Sequence, residues 1–596
     1  MMYSIERYLR AHSATGMVWL NNHSLAYLAN ISGSTQVWRV AAQGGYPEQL
    51  TYYSERITGI YAPSEQGFFF SKDTGGNENA QVFRYLYDGS DPADITHNPA
   101  AMHQFAGCVG SRVLYACNGR HPAHFDLCAV DEHGSAQILV QNEDNYNTPA
   151  GISPDGRYVL YNKMRGQEDN ALWFYDLTQR RTQKVGQGAF PVVTSPQWCA
   201  NSSSFYCLTQ ADSDFVYIAH YDIKRNLMRS IHSEQWDVEN LRLSPNGQYL
   251  AFSVNIEGYS QVRLLHIASG CVQDVPLTQQ SLINSPGGLV WSPDSTRLAL
   301  NMSVCCRPLD IFIYSLGQQC LYQVTHSSYC GLQDDAFVVP ELHRYASFDG
   351  LEVPVWIYRP LNAQPGPLPV VISIHGGPES QDRPGFNPVL QYFINQGIAV
   401  ASPNVRGSTG YGRAYGHLDD IEKRMDSVAD INALVSFLST SGIADAKRIA
   451  VMGGSYGGFM TLASITEYPD LWAAAVDTVG IANFETFMEN TSAYRRVHRA
   501  SEYGNLEQHR DILRRISPIH KVDAITAPLM VIHGANDPRV PVSEAEQIVA
   551  HQRARGREVL YLRYEDEGHG IAKLNNRLDC YPQVAAFLKE KLGINT

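Results

Sequence analysis

The first half of the chain repeats itself. The turn Ser153-Pro154-Asp155-Gly156 opens into Arg-Tyr-Val-Leu-Tyr, and Ser244-Pro245-Asn246-Gly247 opens into Gln-Tyr-Leu-Ala-Phe. A third copy, Ser292-Pro293-Asp294-Ser295, opens into Thr-Arg-Leu-Ala-Leu. In each, Pro presets φ, Asp or Asn bonds its own backbone, and Gly accepts positive φ, so a tight turn leads into a strand. Weaker copies stand at 20–22, 62–67, 109–111 and 199–202. The seven anchors, at 20, 62, 109, 153, 199, 244 and 292, lie 42 to 48 residues apart. That is the length of one four-stranded blade. A second strand type recurs between anchors, at 36–40, 81–85, 171–175 and 261–265, short, β-rich and followed by polar turn residues. Seven anchors predict a seven-bladed β-propeller over residues 12–326. The competing reading is a pair of unrelated β-sandwiches. The Asp, Ser and Tyr residues of the blades read as turn and packing positions, not as catalysts.

From residue 346 the period changes. Short apolar runs at 370–374, 398–402, 448–452, 529–533 and 559–563 alternate with helical spacing at 430–438, 459–467 and 581–592. Such interleaving predicts a doubly wound, mostly parallel sheet covered on both faces. The expected organisation is an N-terminal helical extension at 1–11 packed on the second domain, the propeller, a linker at 327–345 and an α/β-hydrolase domain at 346–596.

Directly after the run ending at Met452 comes Gly453-Gly454-Ser455-Tyr456-Gly457-Gly458. It fits the G-x-S-x-G elbow between a strand and a helix, where the glycines make room for a turn that lifts the serine clear of the sheet. A nucleophilic serine needs a base, and the base needs an orienting carboxylate. In this fold they follow in the order Ser, acid, His, each in the loop after a later strand. Asp537 follows the run 529–533 and His569 follows the run 559–563. His533 reads as a buried structural residue, Asp566 lies too close to His569, and Asp523 precedes its strand. The oxyanion hole needs two backbone donors. Tyr456, after the nucleophile, and Gly377, in the loop His375-Gly376-Gly377-Pro378, are the candidates; His375 itself reads as structural.

The bulk numbers exclude other classes. A formal net charge of −13 leaves no footprint for nucleic acid or anionic lipid. No stretch approaches 18 uncharged apolar residues, and the start carries no apolar signal core, so neither a membrane span nor secretion is expected. The 11 cysteines are scattered without a CxxC pair, which reads as reduced thiols in a cytoplasmic protein with no zinc site.

Five motifs now stand in order behind a seven-bladed propeller: HGGP (375–378), NVRGSTGYG (404–412), GGSYGG (453–458), HGANDPRVP (533–541) and EGHG (567–570). This arrangement resembles the prolyl oligopeptidase family over nearly the whole chain. The resemblance implies a serine peptidase that cleaves short peptides, with the propeller restricting access to the catalytic chamber and with no metal or organic cofactor. GGSYGG with HGGP is similar to the acylaminoacyl-peptidase branch, where an arginine two residues after the catalytic aspartate holds a substrate carbonyl. Arg539 is that position; a surface ion-pair role is the alternative. The dipeptidyl-peptidase branch grips a free N-terminus with a paired propeller glutamate, and no Glu-Glu pair occurs here, which argues against dipeptide release. The expected partner is a short peptide, or an acylated small molecule if the chain is instead an esterase or amidase. A propeller scaffold carrying an inactive hydrolase is the third reading. A homo-oligomer is compatible with the sequence.

Overall fold

A computed structural model describes residues 2–594 apart from 62, 144–145, 165–169, 187–191, 279, 362 and 364. Seven antiparallel sheets follow one another along the chain, at 14–49, 57–94, 103–140, 146–184, 193–232, 238–274 and 281–323. Six have four strands; in the seventh, Ser281–Ile283 and Leu289–Trp291 both pair with Arg297–Val304, giving five. This is the seven-bladed propeller. In the four-stranded blades the repeated turn joins the first strand to the second, as Ser153 to Gly156 does between Tyr146–Ile152 and Tyr158–Met164; in the seventh it joins Leu289–Trp291 to Arg297–Val304. The residue Ala62, which begins the second anchor, lies outside the described residues.

The turns also join the blades. Within its own turn Ser153 Oγ donates to Asp155 Oδ1 at 2.6 Å. The amide of Asp155 donates to Ser202 Oγ in the next blade's anchor at 3.0 Å. Asn246 N reaches Ser295 Oγ, from the sixth blade to the seventh, at 3.0 Å. Asp294 N reaches Asn22 Oδ1, from the seventh blade to the first, at 3.0 Å. The ring is therefore closed by the same contact that links successive blades. Apolar faces fill the space between them: Leu160, Leu172 and Phe174 of the fourth blade are buried against Phe205, Cys207 and Tyr221 of the fifth. Each such side chain contributes roughly 1.5–3 kcal/mol.

The second domain holds one eight-stranded sheet: β1 (Glu341–Ala346), β2 (Glu352–Tyr358), β3 (Leu368–Ile374), β4 (Ala399–Pro403), β5 (Ala444–Gly454), β6 (Ala474–Thr478), β7 (Leu529–Gly534) and β8 (Val559–Tyr564). The order is β1-β2-β4-β3-β5-β6-β7-β8, antiparallel through β4 and parallel from there on. The first strand lies inside the stretch read from sequence as a linker. Its residues are mostly polar, and only Tyr345 among them is buried, so no apolar run marks it. Strands β2 and β6 also lack a counterpart among the five runs picked out above.

Helices cover both faces. The N-terminal α1 (Ile5–Leu9) buries Tyr8 and Leu9 with Tyr392 and Phe393 of α2 (Pro388–Asn395) and with Leu588. On the other face, α3 (Arg424–Thr440) and α4 (Tyr456–Glu467) contribute Val428, Ile431, Phe459 and Leu462 to a second core. Helix α5 (Ala493–Tyr503) lies beside the propeller, and α6 (Leu574–Lys591) closes the chain. The carboxyl ends of β3, β5, β7 and β8 converge on one edge of the sheet, facing the blades.

Candidate active site

Strand β5 runs into Ser455, which takes φ +59° and ψ −118° and caps α4. A side chain cannot be fitted two residues to either side of it. A Cβ on Gly453 would stand 2.3 Å from Gly457 O, and one on Gly457 would stand 2.1 Å from Ile374 O. Ser455 itself is held in a region that non-glycine residues rarely occupy, and its amide donates to Thr478 O at 2.9 Å. The HGGP loop abuts it: a Cβ on Gly376 would come 3.4 Å from Ser455 Cβ.

Asp537 lies in the loop after β7, its side chain 0% exposed. One carboxylate oxygen accepts from the amides of Arg539 at 2.8 Å and Val540 at 3.1 Å. The other accepts from His569 Nδ1 at 2.7 Å. His569, after β8, is 14% exposed at its side chain, so the imidazole is oriented from beneath while its other nitrogen stays free to act. Among the described residues no hydrogen bond joins Ser455 Oγ to His569. In unliganded enzymes such bonds are often long and tighten only with substrate.

The competing residues fall into structural places. His533 is fully buried and bonds Val540 O through Nε2 at 2.9 Å, so it supports the aspartate loop; burial pushes its pKa down. His375 is tied at Nε2 to Ser408 Oγ at 3.0 Å. Asp566 pairs with Lys573 at 2.9 Å and Asn576 at 2.9 Å.

Arg539 meets a residue with no signal in the sequence. Its Nε donates to Glu78 Oε1 at 2.5 Å, and Arg495 Nη2 reaches Glu78 Oε2 at 3.1 Å. Glu78 belongs to the propeller loop between Gly67–Lys72 and Gln81–Leu86, and it takes φ +60°. The same loop presses on the loops that carry Asp537 and His569. Gly75 O accepts from Asn536 Nδ2 at 3.1 Å, and a Cβ on Gly76 would stand 2.5 Å from Gly568 N. Cavities open between the domains, among them one of about 290 Å³ walled by Asp237 and Glu239 on one side and Glu379 and Thr409 on the other. A second, of about 240 Å³, is lined by His569, Gly568, Lys573, Asn30, Glu55 and Asp73, among others. Another of about 570 Å³ has Glu78, Tyr146, Tyr494, Arg495 and Arg539 in its wall. No metal-binding cluster of His, Cys, Asp or Glu occurs among the described residues, and no helix there is long and apolar enough to cross a membrane.

Comparison with known proteins agrees with this architecture. Residues 384–595 match the model of the prolyl oligopeptidase family. The chain is 34% identical to the dipeptidyl aminopeptidase BIII of Pseudoxanthomonas mexicana, over 96% of this chain and 85% of that protein. It is 28% identical to the acylamino-acid-releasing enzyme of Arabidopsis thaliana, over 37% of this chain and 30% of that protein. The crystal structure of a puromycin hydrolase superposes with a TM-score of 0.88 at 18% identity, covering 100% of this chain and 97% of the other; at that identity the likeness concerns the fold. A hydrolase built on this sheet, with a relative of this identity along nearly its whole length, is a serine-type peptidase, and the chain belongs to the prolyl oligopeptidase family.

Proposed function

We propose that this peptidase cleaves short peptides through an acyl-enzyme on Ser455, with His569 as general base, Asp537 as orienting carboxylate, and the amides of Gly377 and Tyr456 as oxyanion donors. The observation that carries the reading is the 2.7 Å bond from His569 Nδ1 to a buried Asp537, formed at the sheet edge where Ser455 is held in its strained turn. Bonding at Nδ1 leaves Nε2 as the acceptor for the Ser455 proton as Oγ attacks the carbonyl carbon. The proton passes to the leaving amine, the acyl-enzyme remains, and water releases it by the same steps. Neither metal nor organic cofactor takes part in these steps. Peptides would enter between propeller and hydrolase, where these cavities lie. A reducing compartment such as the cytoplasm accords with eleven cysteines that are all unpaired.

Reaction with a fluorophosphonate, followed by peptide mapping, tests the assignment: Ser455 should carry the label and Ser455→Ala should lose it. Anilides and short esters assayed side by side separate a peptidase from an esterase acting on an acylated metabolite.

Glu78 favours a second reading of the substrate. The sequence has no adjacent glutamate pair, yet the fold brings one propeller carboxylate to Arg539 at the rim of the site. A free peptide ammonium would be attracted there, and a relative that matches 96% of this chain is named a dipeptidyl aminopeptidase. Comparing alanyl-alanyl anilide with its N-acetylated form and with acetyl-alanyl anilide decides between the two. Preference for the free amine, lost in Glu78→Gln, supports the dipeptidyl reading; equal or better cleavage of the blocked substrates supports the acylaminoacyl or oligopeptidase one.

A further inference from the structure

Beneath the proposed oxyanion hole lies an ion network that the triad does not use. Its centre is Arg424, the first residue of α3, with a side chain 0% exposed. One edge of the guanidinium meets the carboxylate of Asp419, itself 0% exposed, and the hydroxyl of Tyr456 at 3.3 Å. The other edge donates to Glu502 twice, to Oε2 at 2.9 Å and to the main-chain oxygen at 2.9 Å. Its carbon lies 5.2 Å from the ring centre of Tyr456 and 5.0 Å from that of Tyr503.

The two tyrosines lead to the two residues proposed as oxyanion donors. Tyr456 follows the nucleophile, and its hydroxyl also bonds Asp419 Oδ2 at 3.0 Å and Ser427 Oγ at 2.8 Å. Three partners, Arg424, Asp419 and Ser427, thus hold the far end of the residue whose amide is the proposed oxyanion donor. Tyr503 lies at the end of α5, next to Glu502, and its hydroxyl donates to Gly377 O at 3.3 Å. Arg499, one turn earlier, donates to the same oxygen at 3.2 Å. Gly377 takes φ +135°, and its carbonyl accepts from both donors. Glu379, two residues on, bonds Glu502; burial and that neighbouring carboxylate push its pKa up to about 10. Held as the neutral acid, it adds no charge to a site that already sets Asp419 and Glu502 against Arg424 and Arg499.

We propose that Arg424 is a positioning residue for the oxyanion hole: one buried guanidinium ties the elbow, through Tyr456, to the HGGP loop, through Glu502 and Tyr503. Stabilisation of a developing oxyanion depends on donors fixed in advance, and displacements of about 1 Å in such groups cost on the order of a hundredfold in rate. The elbow and the HGGP loop are separate in the chain, and Arg424 is the side chain that touches the supports of both.

The inference rests on the site reading above, and its test keeps the two apart. Arg424→Met would leave Asp419 and Glu502 buried without their partner and is a poor first variant for that reason. Tyr456→Phe and Tyr503→Phe each remove one hydroxyl and keep the ring. For each, kcat and KM on a peptide anilide are measured beside the affinity for a peptide aldehyde, which forms a tetrahedral adduct and loads the oxyanion hole. Each variant should lose roughly tenfold in kcat and in aldehyde affinity together with KM unchanged, a fraction of the 10²–10³ lost when a donor is removed outright. Wild-type kcat and aldehyde affinity in both variants would overturn the inference, as would a rise in KM with aldehyde affinity unaffected. Absence of fluorophosphonate label on Ser455 in the unmodified protein would remove the site reading and this inference together.

Discussion

The propeller and the hydrolase domain solve the same problem in opposite ways. In the propeller one local device recurs: a Ser-Pro-Asp/Asn turn closes on itself and bonds the neighbouring blade's turn, as at Asp155 to Ser202 and Asp294 to Asn22. Its information is local and repeated, with three copies that each bond the next blade's turn. In the hydrolase domain nothing recurs. The proposed site residues Ser455, Asp537, His569 and Gly377 come from four loops, each held by different partners, so that each proposed role has a single carrier. Redundancy belongs to the scaffold, and uniqueness to the chemistry.

The largest effect expected from that contrast is in Ser455→Ala. It should lower kcat by at least about 10⁴-fold while thermal unfolding by calorimetry stays within a few degrees of the unmodified protein. Large loss of stability would make the serine structural. Asp537→Asn should come next, at roughly 10³–10⁴-fold in kcat, because the carboxylate fixes the imidazole tautomer; steady-state kinetics on a peptide anilide reads it.

Gly76→Ala breaks the comparison on purpose. This glycine is in the propeller, yet it presses on Gly568 beside His569 and has φ +74°. An added methyl should displace the histidine loop and cost about 10- to 100-fold in kcat/KM, although no catalytic residue has changed. An unaffected rate would show that the propeller does not set the position of that loop.

The smallest effects should come from the repeated turns. Ser202→Ala and Asn22→Ala each remove one side-chain acceptor from an inter-blade bond. Each should cost about 1 kcal/mol in denaturant unfolding and leave kcat within twofold. Equal costs sharpen the view that ring closure is one more blade contact. A several-fold larger cost for Asn22→Ala would make the closure special.

What could be read in advance divides along the same line. The blades were legible because turn chemistry is local: Pro, Asp and Gly carry their dihedral preferences wherever they stand. The elbow and the loops holding Asp537 and His569 were legible because each follows an apolar parallel strand. Strand β1 was not, since it alternates at a partly exposed edge. Arg424 looks in sequence like one charge in the run 417–424, a pattern that ordinarily belongs in water; here the side chain is entirely buried.

By itself the amino-acid order determined the seven-fold repeat, the change to alternating strands and helices, and the succession of serine, acid and histidine. Only the tertiary structure decided that Glu78 of the second blade meets Arg539, that Gly76 rests on Gly568, and that Arg424 lies against the rings of both Tyr456 and Tyr503. The reason is separation along the chain. Dihedral preference and apolar period act over a few residues, whereas a salt bridge between positions 78 and 539 exists only once two complete domains have folded and met.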